Sequence, residues 1–145
     1  MEIDQSPTVA IARDLVQSLV DTGVGAWNSQ GVYSNGQYGF VIGALPRELS
    51  QVIGLTPYAV STDTEPGVDT QGFQFRIRTG SADPNPAIGI ADMLLERLHG
   101  VEGLRLGGFN IPLVWRNSLA DLGLDEAGRY EITDNYYMYV DRRSA

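Results

Sequence analysis

The sequence contains no cysteine and no lysine, and it has a single histidine. Without cysteine the chain can form no disulfide, no thiolate nucleophile and no thiolate-ligated metal centre. Without lysine it has no nucleotide phosphate loop. The one glycine-rich stretch, Gly103 to Gly108, also lacks a following helix and reads as a hairpin turn. His99 would have to carry any general-base or metal role alone. A Ser–His–Asp arrangement with Asp92 or Glu102 is conceivable on paper, but no G-x-S-x-G elbow exists to expose a serine. No apolar run approaches the roughly 18 residues that span a bilayer. The N-terminal MEIDQSPTVA is acidic and lacks the basic-plus-apolar pattern of an export signal, which predicts a cytosolic location at synthesis.

Positive charge is also scarce. Ten arginines face 18 acidic residues, for a net charge of −8. That balance opposes binding to nucleic acid, which needs phosphate neutralisation, and opposes adsorption to anionic membranes. It keeps the free protein soluble. The basic complement is arginine alone, a residue that forks onto carboxylates and stacks on aromatics and so suits protein–protein contact.

What is present reads as one domain over residues 1–145, a length that buries about 70% of the unfolded chain's surface. Ser6-Pro7 marks a helix start, and Ile11, Leu15 and Leu19 beside Ala12, Val16 and Val20 form an apolar stripe ending at Gly23. Gly25 to Gly43 is glycine- and tyrosine-rich, with short strands expected near Gly31–Ser34 and Gly39–Ile42. Gln51 to Val60 reads as a strand that ends at Pro57 or lies on an edge. The acidic loop Ser61 to Thr70 links it to a second strand, in which Phe73, Phe75 and Ile77 face one way and Gln74, Arg76 and Arg78 the other. A second helix is predicted from Pro84 or Pro86 to Leu98, capped by Asp83 or Asn85, with Ile88, Ala91, Leu94, Leu95 and Leu98 buried. Leu104–Leu106 and Ile111–Trp115 read as short strands, Ser118 to Gly128 as a loop, and Tyr130 to Asp141 as the last strand. The expected fold class is α+β: a mostly antiparallel sheet of about four main strands with two helices packed on one face.

Several segments in this order resemble one family: LTPYAV (Leu55–Val60), the acidic loop, GFQFRIRTG (Gly72–Gly80), the Asp83-Pro84-Asn85-Pro86 helix start, ADMLLERLHG (Ala91–Gly100) and TDNYYMYV (Thr133–Val140). Together they resemble the tail terminators of long-tailed bacteriophages, often labelled minor capsid proteins in actinobacterial phages. The resemblance implies a non-enzymatic virion protein with no cofactor and no metal. It implies a homo-hexameric ring at the head-proximal end of the tail tube, made in the host cytoplasm. Its partners would be further copies of itself, the major tail protein and the head–tail connector or stopper protein. Phage DNA would pass through the ring without sequence-specific binding, easily so if acidic groups face the channel. The alternatives are another neck component, such as a stopper or head-completion protein, and, in a different class, a small carboxylate-dependent hydrolase or a ligand-binding module.

The candidate contact residues are Arg76 and Arg78, the acidic Asp63, Glu65 and Asp69, and Tyr137 with Tyr139. The arginines are expected either on a solvated sheet face or paired with a neighbour's acidic loop through charge-assisted bonds. The last strand is apolar on both faces. Tyr136 and Met138 share one side, and Tyr137 and Tyr139 face either solvent or another subunit. Asp121 to Glu131 faintly resembles a calcium loop, but Gly123 stands where a side-chain ligand is needed.

Overall fold

The computed structural model describes residues 2–62, 64 and 67–144. Helix α1 runs Pro7–Asp21 and α2 Asn85–Leu98. The strands are β1 Gly39–Ile42, β2 Val52–Ser61, β3 Val68–Arg78, β4 Glu102–Leu106, β5 Phe109–Leu124 and β6 Tyr130–Asp141. All six form one sheet in the order β1-β2-β3-β6-β5-β4. The expectation of about four strands is corrected to six, and the sheet is mixed: β1 runs parallel to β2 and every other pair is antiparallel. The sequence predicts short strands at 39–42 and 104–106; that they join the same sheet at its two edges, with β1 parallel to β2, depends on pairing that no single segment carries.

Both helices lie on one face of the sheet. Ile11, Leu15 and Leu19 of α1 and Ile90, Leu94 and Leu98 of α2 share a single core with Phe40, Ile53, Leu55, Phe73, Phe75, Ile77, Tyr136 and Met138. Each such large side chain contributes about 1.5–3 kcal/mol on burial. The Ser6 hydroxyl caps α1 by accepting from the Val9 N–H at 3.3 Å, with Pro7 in the first turn, as the sequence predicts. The α1 backbone touches the β4–β5 turn. Gly107 has φ +58°, and a Cβ there would lie 2.8 Å from the Ile11 nitrogen, so only glycine fits. Its N–H donates to Asp14 Oδ2 at 2.6 Å. Arg97 clamps α2 to the end of α1, its Nη2 donating to the Thr22 carbonyl at 3.0 Å.

Four local expectations change. In α2 it is Ala87 and Ile90, not Ile88 and Leu95, that join Ala91, Leu94 and Leu98 in the core; Ile88 is exposed. No side-chain hydrogen bond caps that helix; Pro84 occupies the cap, and Asp83 Oδ1 accepts from the Asn85 N–H at 3.0 Å. Second, β2 does not end at Pro57 but continues to Ser61, and of the two expectations it is the edge position that holds at Pro57. The Leu55 carbonyl faces β1, accepting from the Gly43 N–H, and Pro57, two residues on, faces the same side after β1 has ended. Its missing donor therefore costs no ladder bond. Third, Ser118–Leu124 is strand, not loop. Two register shifts, between Arg116 and Ser118 and between Asp121 and Gly123, break the alternation there and hide it from a period-2 reading. Fourth, residues 31–34 form no strand.

Candidate interaction surface

The sheet face turned away from the helices carries the candidate residues. Alternation along β3 and β6 puts Thr70, Gly72, Gln74, Arg76 and Arg78 beside Glu131, Thr133, Asn135, Tyr137 and Tyr139. Three zones follow one another along it.

At one end is a charge network. Glu131 is buried between Arg76 and Arg78: its Oε1 accepts from Arg76 Nε at 2.7 Å and its Oε2 from Arg78 Nε at 3.0 Å. Arg78 Nη1 donates to the Pro46 carbonyl at 2.9 Å, fixing the segment before β2. Asp125 accepts from the N–H groups of Ala127 and Arg129 and from Arg129 Nε. Those bonds hold its carboxyl below the usual carboxylate range. Thus Arg78 is spent within the chain, whereas the Arg76 side chain is 49% exposed and borders a cleft of about 430 Å³ that Arg47 and Arg129 also line.

In the middle, Asn135 Oδ1 accepts from Gln74 Nε2 at 3.2 Å and from the Tyr58 hydroxyl at 3.3 Å, while its amide donates to Ser118 Oγ at 3.1 Å. These bonds link side chains from β2, β3, β5 and β6.

At the other end lies an aromatic cluster. Tyr137 meets Tyr58 and Trp115 edge-on, with ring centroids at 6.3 and 5.9 Å, and Trp115 meets Tyr139 at 4.9 Å. Tyr58 lies over Gly72, its cross-strand partner, and a Cβ there would collide with its ring. Burial raises the Tyr58 phenol above its ordinary value, and Tyr137 adds to the effect. Tyr139 remains exposed at the rim. The split predicted for β6 holds: Tyr136 and Met138 enter the core, and Tyr137 and Tyr139 lie on the opposite face.

Of the acidic candidates, Asp69 lies on the other side of the sheet, near Pro7 and Thr8 of α1. Asp69 Oδ2 accepts from Arg142 Nη1 at 3.2 Å, and Asp63 and Glu65 lie outside the described residues. His99 sits at the C-cap of α2, where Nδ1 accepts the Arg116 N–H at 3.0 Å. Among the described residues no group of three or more His, Cys, Asp or Glu side chains is placed to hold a metal ion. Sequence reasoning named Tyr137 and Tyr139 but not Tyr58 and Trp115; the cross-strand register that joins them cannot be read from one segment at a time.

Such a surface can recognise another surface through arginine, amide and aromatic contacts held in fixed positions. A comparison with curated protein sequences finds no match. The family model described as bacteriophage tail terminator protein matches residues 18–142, from the last turn of α1 through β6, and the chain belongs to that family.

Proposed function

We propose that the protein forms a hexameric ring at the head-proximal end of the tail tube, ends tube polymerisation there and joins the tail to the head connector. Membership of the tail terminator family makes it a structural component of the phage tail; the ring, its place at the neck and its partners are the reading advanced here. The observation that carries it is the sheet face opposite the helices. A monomer has no use for a broad face bearing an exposed arginine and an aromatic cluster, whereas a subunit that works by contact needs one. One end of the ring would fit the last ring of major tail protein and the other the connector or stopper, with neither shaped to accept another tube subunit. DNA would traverse the ring without sequence-specific contact, its passage eased by a net charge of −8.

Within this reading Arg76 meets an acidic group of a neighbouring copy, for which the 61–70 loop is the candidate, while Tyr137 and Tyr139 lie against a neighbour. Arg76→Gln and Tyr139→Asp test it, because both change exposed groups. The expected result is folded protein that no longer complements particles lacking the native copy. Normal tail length and head joining with both variants would count against these contacts.

A further inference from the structure

We infer that the outward face of α2 in one copy docks across the sheet face of the next copy, setting Ile88 on the aromatic cluster, Asp92 on the Gln74–Asn135 amides and Glu96 on Arg76. The inference rests on the ring reading above and names its subunit contact.

One end of the sheet face holds a surplus of positive charge in an acidic chain. Arg76, Arg78 and Arg129 share two carboxylates, Glu131 and Asp125. One positive charge is left over, in a molecule of net charge −8. Arg47 and Glu126, the other charged residues of that cleft, cancel. Arg78 is buried, so the half-exposed Arg76 presents the surplus. From Arg76 along β3 and β6 the face turns to the Gln74 and Asn135 amides and then to the rings of Tyr58, Trp115, Tyr137 and Tyr139. A surface that covers it must bring a carboxylate to one end and an apolar side chain to the other.

Helix α2 carries that combination in one row. Ile88, Asp92 and Glu96 stand at i, i+4 and i+8, positions that align along one side of a helix. The core uses none of them. Ile88 is 49% exposed. Asp92 is exposed and, among the described residues, has no ion pair. Glu96 is 78% exposed, with a loose 3.9 Å contact to Arg97. The spacings agree as well. Asp92 lies about 6 Å and Glu96 about 12 Å from Ile88 along the helix axis. On the sheet, the Gln74–Asn135 row lies about 7 Å and the Arg76–Thr133 row about 14 Å from the row of Tyr137. With Ile88 set over Tyr137, each carboxylate falls within about 2 Å of the level of its counterpart. Gln74 Nε2 gives one N–H to Asn135 and has a second to offer Asp92. Arginine–carboxylate bonds of the Arg76–Glu96 kind add geometry as well as energy. The 61–70 loop also offers carboxylates, but its only aliphatic side chain is Val68, so α2 suits the aromatic end better.

The two surfaces lie on opposite sides of the same sheet, because α2 packs on the other face. Their union is heterologous, the kind of contact that closes into a ring when the rotation allows and that a two-fold dimer does not use.

The absence of native cysteine makes a clean test. Thr56 is exposed on the sheet face beside Gln74. Phage carrying the protein with Thr56→Cys and Asp92→Cys together are treated with a short bifunctional maleimide. Within one copy the sheet and the helix, about 10–12 Å across, stand between the two positions and prevent an internal bridge. The expected result is a denaturing-gel ladder at multiples of the subunit mass. Co-expressing the two single variants should give cross-linked dimers and nothing larger, and each single variant alone should give none. A second variant, Asp92→Arg with Glu96→Arg, changes only exposed groups; it should keep the native circular dichroism and lose complementation of particles lacking the native copy. Asp92-to-Asp92 dimers, cross-links to the tail-tube subunit alone, no cross-links in particles with normal tails and joined heads, or full complementation by the double arginine variant would each overturn this docking. The ring reading fails separately, if particles lacking the protein stop their tails at the normal length.

Discussion

Arg116 and Asp134 form a two-point ion pair beneath α2: Nε meets Oδ1 at 2.9 Å and Nη2 meets Oδ2 at 3.1 Å. Asp134 is fully buried, and Arg116 Nη2 also donates to the Ala91 carbonyl of α2 at 3.1 Å. One guanidinium therefore joins β5, β6 and a helix. Burial raises the Asp134 carboxyl, and Arg116 opposes that rise. Removing one partner of a buried pair leaves the other charge uncompensated. Asp134→Ala should cost about 3–5 kcal/mol in denaturant unfolding; a loss below about 1 kcal/mol would place the pair outside the folding energetics.

The Tyr136 ring packs edge-on against Phe75 at 5.8 Å, and among the described residues its buried hydroxyl has no hydrogen-bond partner within good geometry. Burial pushes its phenol up to about 12, with Asp134 adding to the rise. Tyr136→Phe keeps the ring and removes a polar atom that gains nothing in the core. Stability should stay within about 0.5 kcal/mol of the native value or rise. A loss above about 1 kcal/mol would mean that the hydroxyl is bonded in solution.

Gly72 seats Tyr58, and the same relation holds between Gly54 and Leu45 and between Gly39 and Tyr33. Gly72→Ala forces the Tyr58 ring off its strand partner and away from Tyr137 and Asn135. The expected cost is about 1–3 kcal/mol, together with a change in the near-ultraviolet circular dichroism of the Tyr58, Tyr137 and Trp115 cluster. An unchanged spectrum would show that the cluster is not held from below.

Asp125 and Asp134 respond to acid in opposite senses. Asp125 has a folded-state value below its ordinary one, so its contribution is present above the ordinary carboxylate value and is lost as pH falls through the folded value. Asp134 has a raised folded-state value. Between the ordinary and the raised value the folded protein holds a proton that the unfolded chain has lost, so this share of stability falls as pH rises. The stability gap between native protein and Asp125→Asn should be widest near neutral pH and close as pH drops below about 4. A gap that does not vary with pH would remove the Asp125 carboxylate from the account.

Much of the fold was legible where a period persists. The stripe Ile11, Leu15, Leu19 and the alternation of Phe73, Phe75 and Ile77 gave α1 and β3 their inward faces, and Tyr136 and Tyr137 separated onto opposite sides of β6. Legibility failed where a third element decides the environment. Ile88 fits the helical stripe, but α2 presents Ala87 and Ile90 to the sheet instead. The 118–124 segment looked like a loop because two bulges interrupt its pairing. Arg78 could be assigned to its sheet face but not to Glu131, which is 53 residues away in sequence. The aromatic cluster was half visible for the same reason: Tyr58 and Trp115 reach Tyr137 only through the register of four strands.

The central claim is that contact between folded surfaces ends the tail tube. Electron microscopy of particles made without this protein tests it most directly. The account predicts tails longer than normal with no heads attached. Tails of normal length beside filled, tailless heads would contradict it and assign the chain instead to the head side of the joint.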